Sequence, residues 1–238
     1  MADWFADCAF SAGVPAALVA ARDGIDALLR DRGLRRTTPA VTAESLIRGA
    51  AASAQIDGSI SSLDELRAGA GDATASAAAR LSAELLSLVP IANRSPLQAL
   101  ARMHALAAPR DAEPAGVGRP RREPGVAARL QMLARNLVAS TTAPAIAVAA
   151  LAHAEIAVLT PFESANGLVA RALERLILVA RGVDPASVTV PEAGHLRAGP
   201  AYQGALAGYA EGTPFGRRDW LLYAATAITE GAALSPLR

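Results

Sequence analysis

From Ala143 to Leu159 the chain is apolar at almost every position, with His153 and Glu155 as its polar side chains, and the run halts at Pro161. A membrane-spanning helix needs about 20 such residues. This run is short for that and reads as a helix covered on all sides by protein. Proline disfavours helical backbone in the residue before it, which ends the run; Asn166-Gly167 then opens a second helical stretch that continues to Arg181. A buried helical hairpin requires the rest of the chain to supply its cover. About a quarter of the residues are alanine, only 4 % are aromatic, and β-branched runs are scarce. The covering elements are therefore expected to be helices with small side chains at their contacts. The expected fold class is all-α.

Helical spacing elsewhere agrees. Pro15 to Arg32 places Leu18, Val19, Ile25, Leu28 and Leu29 on one side. Thr42 is expected to cap a helix through Ile47 to Ile56, stopped by Asp57-Gly58. Asp72 caps the next, through Leu81, Leu85 and Leu88 and ending before Pro90, and Ser95-Pro96 opens another through Leu100 and Leu106. The Pro- and Gly-rich segment 109–125, with Arg119, Arg121 and Arg122 inside it, reads as a long surface loop. Helical spacing resumes at Val126 to Val138. After Arg181, Gly182, Pro185 and Pro191 mark a connection that includes His195, with Gly194 and Gly199 as loop glycines. Two last helices are expected, from Pro200 to Glu211 and from Arg217 to Glu230.

The formal net charge is +1 and no basic stripe is present, so nucleic-acid binding has no electrostatic support. A lone cysteine, Cys8, precludes an internal disulfide, fits a reducing compartment and reads as a small buried hydrophobe. The residues Met1 to Trp4 lack the basic region of a signal peptide. The expectation is a cytoplasmic protein without a membrane segment. His153 reads as a core histidine, and none of the three histidines pairs with another at metal-ligand spacing, so no metal site is expected. No Gly-rich phosphate loop occurs.

The turn between the two central helices reads Thr160-Pro161-Phe162-Glu163-Ser164-Ala165-Asn166-Gly167-Leu168-Val169-Ala170-Arg171. It resembles the H-P-F-x-[D/E]-G-N-G-R-x-x-R motif of Fic proteins, the family of AMP transferases. Pro161, Phe162, Asn166, Gly167 and Arg171 match in register. Thr160 stands at the histidine, Ser164 at the acid, Ala165 at the first glycine and Leu168 at the first arginine. Upstream, Ser53-Ala54-Gln55-Ile56-Asp57-Gly58 resembles the inhibitory helix pattern [S/T]-x-x-x-E-[G/N] of some members, with Asp57 for the glutamate. Downstream, Tyr202, Gly212-Thr213-Pro214 and Trp220 resemble the family's closing helices.

The resemblance implies a Fic-like helical domain over residues 42–238, holding an inhibitory-like helix 42–58 and the motif loop 160–171, with residues 1–41 as a helical extension packed on it. It also implies a nucleotide or phosphate site at Asn166, Gly167 and Arg171, and a pairing of Asp57 with Arg171. The family's chemistry needs a base of near-neutral pKa, a carboxylate for Mg²⁺ and cations for the phosphates. Thr160 is no base, Ser164 is a weak Mg²⁺ ligand, and Leu168 removes a cation. The β-hairpin flap that docks the family's protein targets is expected to be shortened or absent, because Arg122 to Gly125 lead almost directly into a helix. The leading expectation is a degenerate Fic-fold protein without AMP transfer, acting as a binding or regulatory module toward a protein partner or a small phosphate ligand. ATP or another nucleotide is the cofactor left open, and Mg²⁺ is not expected. The alternatives are a transferase of different chemistry using the anion pocket at Asn166-Gly167, and a purely structural interaction protein.

Overall fold

A computed structural model describes residues 3–31 and 34–238. Among these residues lie thirteen α-helices, one 3-10 turn at Leu85–Leu88 and no strand. The helices are α1 (Trp4–Ala9), α2 (Val14–Leu29), α3 (Leu34–Ile56), α4 (Leu63–Arg67), α5 (Ala73–Glu84), α6 (Val89–Ala92), α7 (Pro96–Ala107), α8 (Val126–Val138), α9 (Ala145–Leu159), α10 (Asn166–Ala180), α11 (Pro191–Ala198), α12 (Pro200–Ala210) and α13 (Pro214–Ala233). The α9–α10 hairpin is the centre. Every residue of α9 from Ile146 to Ile156 is buried, and so is every residue of α10 from Leu168 to Leu178.

Helices α1, α2, α8, α12 and α13 cover α9, while α3, α5, α6, α7 and α11 cover α10. One apolar core runs through Phe5, Ile25, Leu100, Leu151, Leu176 and Trp220. The Trp220 indole N–H is satisfied inside it, donating to the Ala150 carbonyl oxygen at 2.8 Å. Glycines let backbones meet where α11 crosses α13: a Cβ on Gly194 would sit 1.9 Å from the Ala227 carbonyl oxygen.

Several elements depart from the sequence expectation. Helix α3 begins at Leu34 and contains Pro39, so residue 42 falls inside it. Thr42 is not a cap; its hydroxyl donates to the Ala186 carbonyl at 2.6 Å. Pro90 and Pro191 open α6 and α11 from their first turns, where a missing N–H costs nothing, and do not act as breaks. His195 and Gly194 consequently belong to a helix. Helix α13 starts early, at Pro214, because the Thr213 hydroxyl caps it by accepting from the Gly216 N–H at 3.0 Å. Segment 109–125 is an irregular loop without a hairpin. The helical stretch Ala73–Ala92 is long and apolar enough to cross a membrane by length and composition, but it contains the 3-10 turn and packs on α3, α7 and α10.

Candidate functional site

The motif loop is held by its own residues. Thr160 ends α9 in the left-handed region, with φ 41°, its N–H donating to the Ile156 carbonyl at 3.0 Å. Asn166 spends both ends of its amide on the loop: Oδ1 accepts from the Phe162 N–H at 2.9 Å and Nδ2 donates to the Phe162 carbonyl at 2.8 Å. Pro161 and Phe162 are buried. The Phe162 ring stacks on His104 with centroids 4.2 Å apart and planes 5° from parallel. His104 Nδ1 accepts from the Gly118 N–H at 2.9 Å, which ties loop 109–125 to the motif. Asn166 therefore stands here as a loop brace, and its side chain is committed before any ligand arrives.

Thr160, which the sequence resemblance sets at the family's base, is exposed and engaged by Arg121: Nε donates to the Thr160 carbonyl at 2.8 Å and Nη2 to the Thr160 hydroxyl oxygen at 3.0 Å. The Arg121 backbone N–H also donates to the Pro161 carbonyl at 2.8 Å, and Glu123 pairs with the same guanidinium. A neutral hydroxyl is far too weak a base to take a substrate proton near pH 7, and the guanidinium beside it disfavours protonation further. In the sequence Arg121 belongs to a loop stretch, Gly118-Arg119-Pro120-Arg121, that resembles the approach to the family's flap, and its contact with Thr160 was not visible there. Ser164, which the sequence resemblance sets at the family's acid, offers a neutral hydroxyl, and the neighbouring Glu163 is exposed with its Cγ toward Gly116. These residues do not fit a magnesium ion. Leu168 turns into the protein and is buried.

Arg171 is clamped by the end of α3. Its Nε donates to Ser53 Oγ at 2.8 Å, Nη2 to the Ser53 carbonyl at 3.0 Å and to Asp57 Oδ1 at 2.7 Å, and Nη1 to the Tyr202 hydroxyl at 3.4 Å. Arg171 is 1 % exposed along its side chain and Asp57 is 27 % exposed. The end of α3 is fixed by a Schellman motif: Gly58, at φ 89°, lets Ser59 N–H reach the Ala54 carbonyl and its own N–H reach that of Gln55. Asp57 is thereby delivered onto the first turn of α10. A Cβ on Gly167 would lie 2.6 Å from Asp57 Oδ1, so the glycine makes room for this carboxylate. Aspartate reaches without a bridging water because Ala50 and Ala54 are buried at the helix contact and permit close approach. The structure thus brings together Ser53, Asp57, Gly167 and Arg171.

One turn further along α10, Arg175 forms a second buried clamp. It meets both oxygens of Glu192 at 2.8 and 2.6 Å and donates to Ser45 and Ser187 hydroxyls at 3.0 and 2.9 Å. Ser45, Gly49 and Ser53 on α3, with Asp57 just past its end, recur every four residues as the receiving stripe. A Cβ on Gly49 would strike the Arg175 guanidinium at 2.6 Å.

Between these arginines Glu174 points into the interior and corrects the expectation for the histidines. His153 from α9 and His195 from α11 converge on its Oε2, at 3.1 and 2.7 Å. Their outer nitrogens meet the Tyr202 and Tyr223 hydroxyls, each at 2.9 Å. His153 is a core histidine as expected, but its separation from His195 in sequence concealed the pairing. Burial pushes the His153 pKa down to about 4, against the pull of Glu174. Burial also works against the Glu174 charge, but the two imidazoles hold its carboxyl well below the usual range.

A cavity of about 570 Å³ lies away from the motif, lined by Trp4, Arg129, Met132, Glu155, Tyr209 and Arg217. It contains none of the motif residues; at its wall Glu155 accepts from the Tyr209 hydroxyl at 2.7 Å and from Arg129 Nη2 at 3.0 Å.

The sequence matches no protein-family model and no curated protein. The fold is nevertheless similar to solved structures. A Fic family protein from Desulfovibrio desulfuricans superposes with a TM-score of 0.75 at 18% identity, over 91% of this chain and 72% of that one. Fic-1 from C. elegans superposes with a TM-score of 0.74 at 19% identity, over 92% and 70%. This chain has the Fic fold.

Proposed function

We propose that this chain is a degenerate Fic-fold protein that no longer transfers AMP and acts as a binding or regulatory module, with a protein or a small phosphate ligand as its target. The observation that carries the reading is the double occupation of the site. Arg121 engages the Thr160 hydroxyl where a base would stand, and Asp57 lies on the first turn of α10 against Arg171. A helix N-terminus with a nearby arginine attracts anions; here a carboxylate of the chain itself takes that place. Asp57 is the movable part, since it is partly exposed and sits at the very end of its helix.

Thermal unfolding with ATP and with inorganic phosphate tests this. The wild-type protein is expected to show little shift, and Asp57→Ala a clear rise. Ligand at 100 times its Kd adds about 2.7 kcal/mol. No shift in either protein would leave a structural interaction role, and nucleotide consumption by the wild type would support a transferase of other chemistry.

A further inference from the structure

The His153–Glu174–His195 group has more donor capacity than its hydrogen bonds use. His153 Nδ1, Glu174 Oε2 and His195 Nε2 lie within 4.8 Å of one another, and all three side chains are fully buried. As a hydrogen-bonded network it is served by two inner N–H donors and two tyrosine hydroxyls, yet Glu174 Oε1 is buried with no partner. Buried carboxylate oxygens are normally satisfied. A network built only for hydrogen bonding would have brought this one a donor.

We propose that the group is a structural metal site for one divalent ion of the zinc or cobalt class, held by His153 Nδ1, His195 Nε2 and both oxygens of Glu174. Donors about 2.0 Å from a tetrahedral ion are separated by about 3.3 Å; the carboxylate-to-imidazole separations here are 3.1 and 2.7 Å, while the two imidazole nitrogens, within 4.8 Å of each other, must close inward on the ion as it binds. Two imidazoles and one carboxylate suit zinc and cobalt better than magnesium or calcium. The bidentate carboxylate gives the partnerless oxygen a role and brings the donor atoms to four.

The outer shell is already in place. Tyr202 and Tyr223 hold the far nitrogens, the arrangement that fixes ring orientation around bound metals. On binding, each imidazole keeps one proton but carries it on its outer nitrogen, where the facing tyrosine oxygen accepts it; the Tyr202 oxygen already accepts from Arg171 Nη1. With every ligand buried the site has no open position, so its effect is to fasten α9, α10 and α11 together, and loading requires unfolding.

The test uses tag-free protein unfolded in guanidinium chloride with EDTA, refolded with Zn²⁺, with Co²⁺ or with neither, then desalted. One ion per chain is expected by elemental analysis, with the visible bands of four-coordinate cobalt and a higher Tm than the metal-free sample. His104→Gln should retain the ion, while His195→Gln and Glu174→Gln should lose it. Wild-type protein that refolds without retaining either ion, at the metal-free Tm, would overturn the proposal and leave a hydrogen-bonded network only. Retention by both His195→Gln and Glu174→Gln would overturn it as well.

Discussion

Arg171 Nη2 meets Asp57 Oδ1 at 2.7 Å, joining the buried first turns of α10 to the exposed end of α3. The two ends of this contact are unequal: the guanidinium is fully enclosed, and the carboxylate still touches water. Removing the carboxylate strands a buried cation on Ser53 and Tyr202 alone. Removing the cation leaves a carboxylate that solvent can reach.

Asp57→Ala should therefore destabilise the protein by up to about 3 kcal/mol. In a cycle with Arg171→Ala, urea unfolding should give a coupling above about 0.5 kcal/mol. Additive effects would show that the two residues do not interact energetically.

Glycines in neighbouring helices should respond with opposite signs. At Gly194 a methyl would meet backbone, 1.9 Å from the Ala227 carbonyl oxygen, so α11 must lift off α13. Gly194→Ala should cost at least about 1–3 kcal/mol. Gly204, exposed in α12, has nothing within 4 Å of the place a methyl would take, and Gly204→Ala should gain about 0.5–1 kcal/mol in helix propensity. Denaturant midpoints moving the same way for both would contradict the packing described.

Ala165 precedes α10 with φ 54°, where the Fic pattern has glycine. An L-residue pays about 1 kcal/mol or more in that region. Ala165→Gly should raise stability by about 1 kcal/mol, and a loss on calorimetry would mean that the loop does not hold this backbone.

His104 should make stability acid-sensitive. Burial lowers its pKa below the ordinary imidazole value, and its Nδ1 already accepts from the Gly118 N–H. Just below pH 6.5 the unfolded chain binds the proton more readily than the folded one, so stability falls with pH there and levels off below the folded pKa. His104→Phe, which can still stack on Phe162, should have a shallower decline from about pH 6.5 downward than wild type. Equal slopes would show that His104 is not the proton acceptor.

What the sequence made legible follows the range of the interactions. The apolar run of α9, the stop at Pro161 and the Gly58 helix end are local, and each is readable from spacing and residue type. The Ser53–Asp57–Gly58 pattern and Arg171 could be paired only through the family resemblance. The buried polar face of α10 was not legible: Arg171, Glu174 and Arg175 have the spacing of a solvated stripe, and only their partners on α3 and α11 put them inside. His195 was hidden further because Pro191 and Gly194, ordinary loop signals, serve here as a helix start and a close helix crossing.

Whether the site can transfer AMP is tested most directly by incubation with Mg²⁺ and α-labelled ATP, with the protein alone and with a cell lysate. No label is expected on either, for wild type and for Thr160→His, because Ser164, Leu168 and the missing hairpin remain. Robust wild-type labelling that vanishes in Thr160→Ala would contradict the proposed loss of transfer.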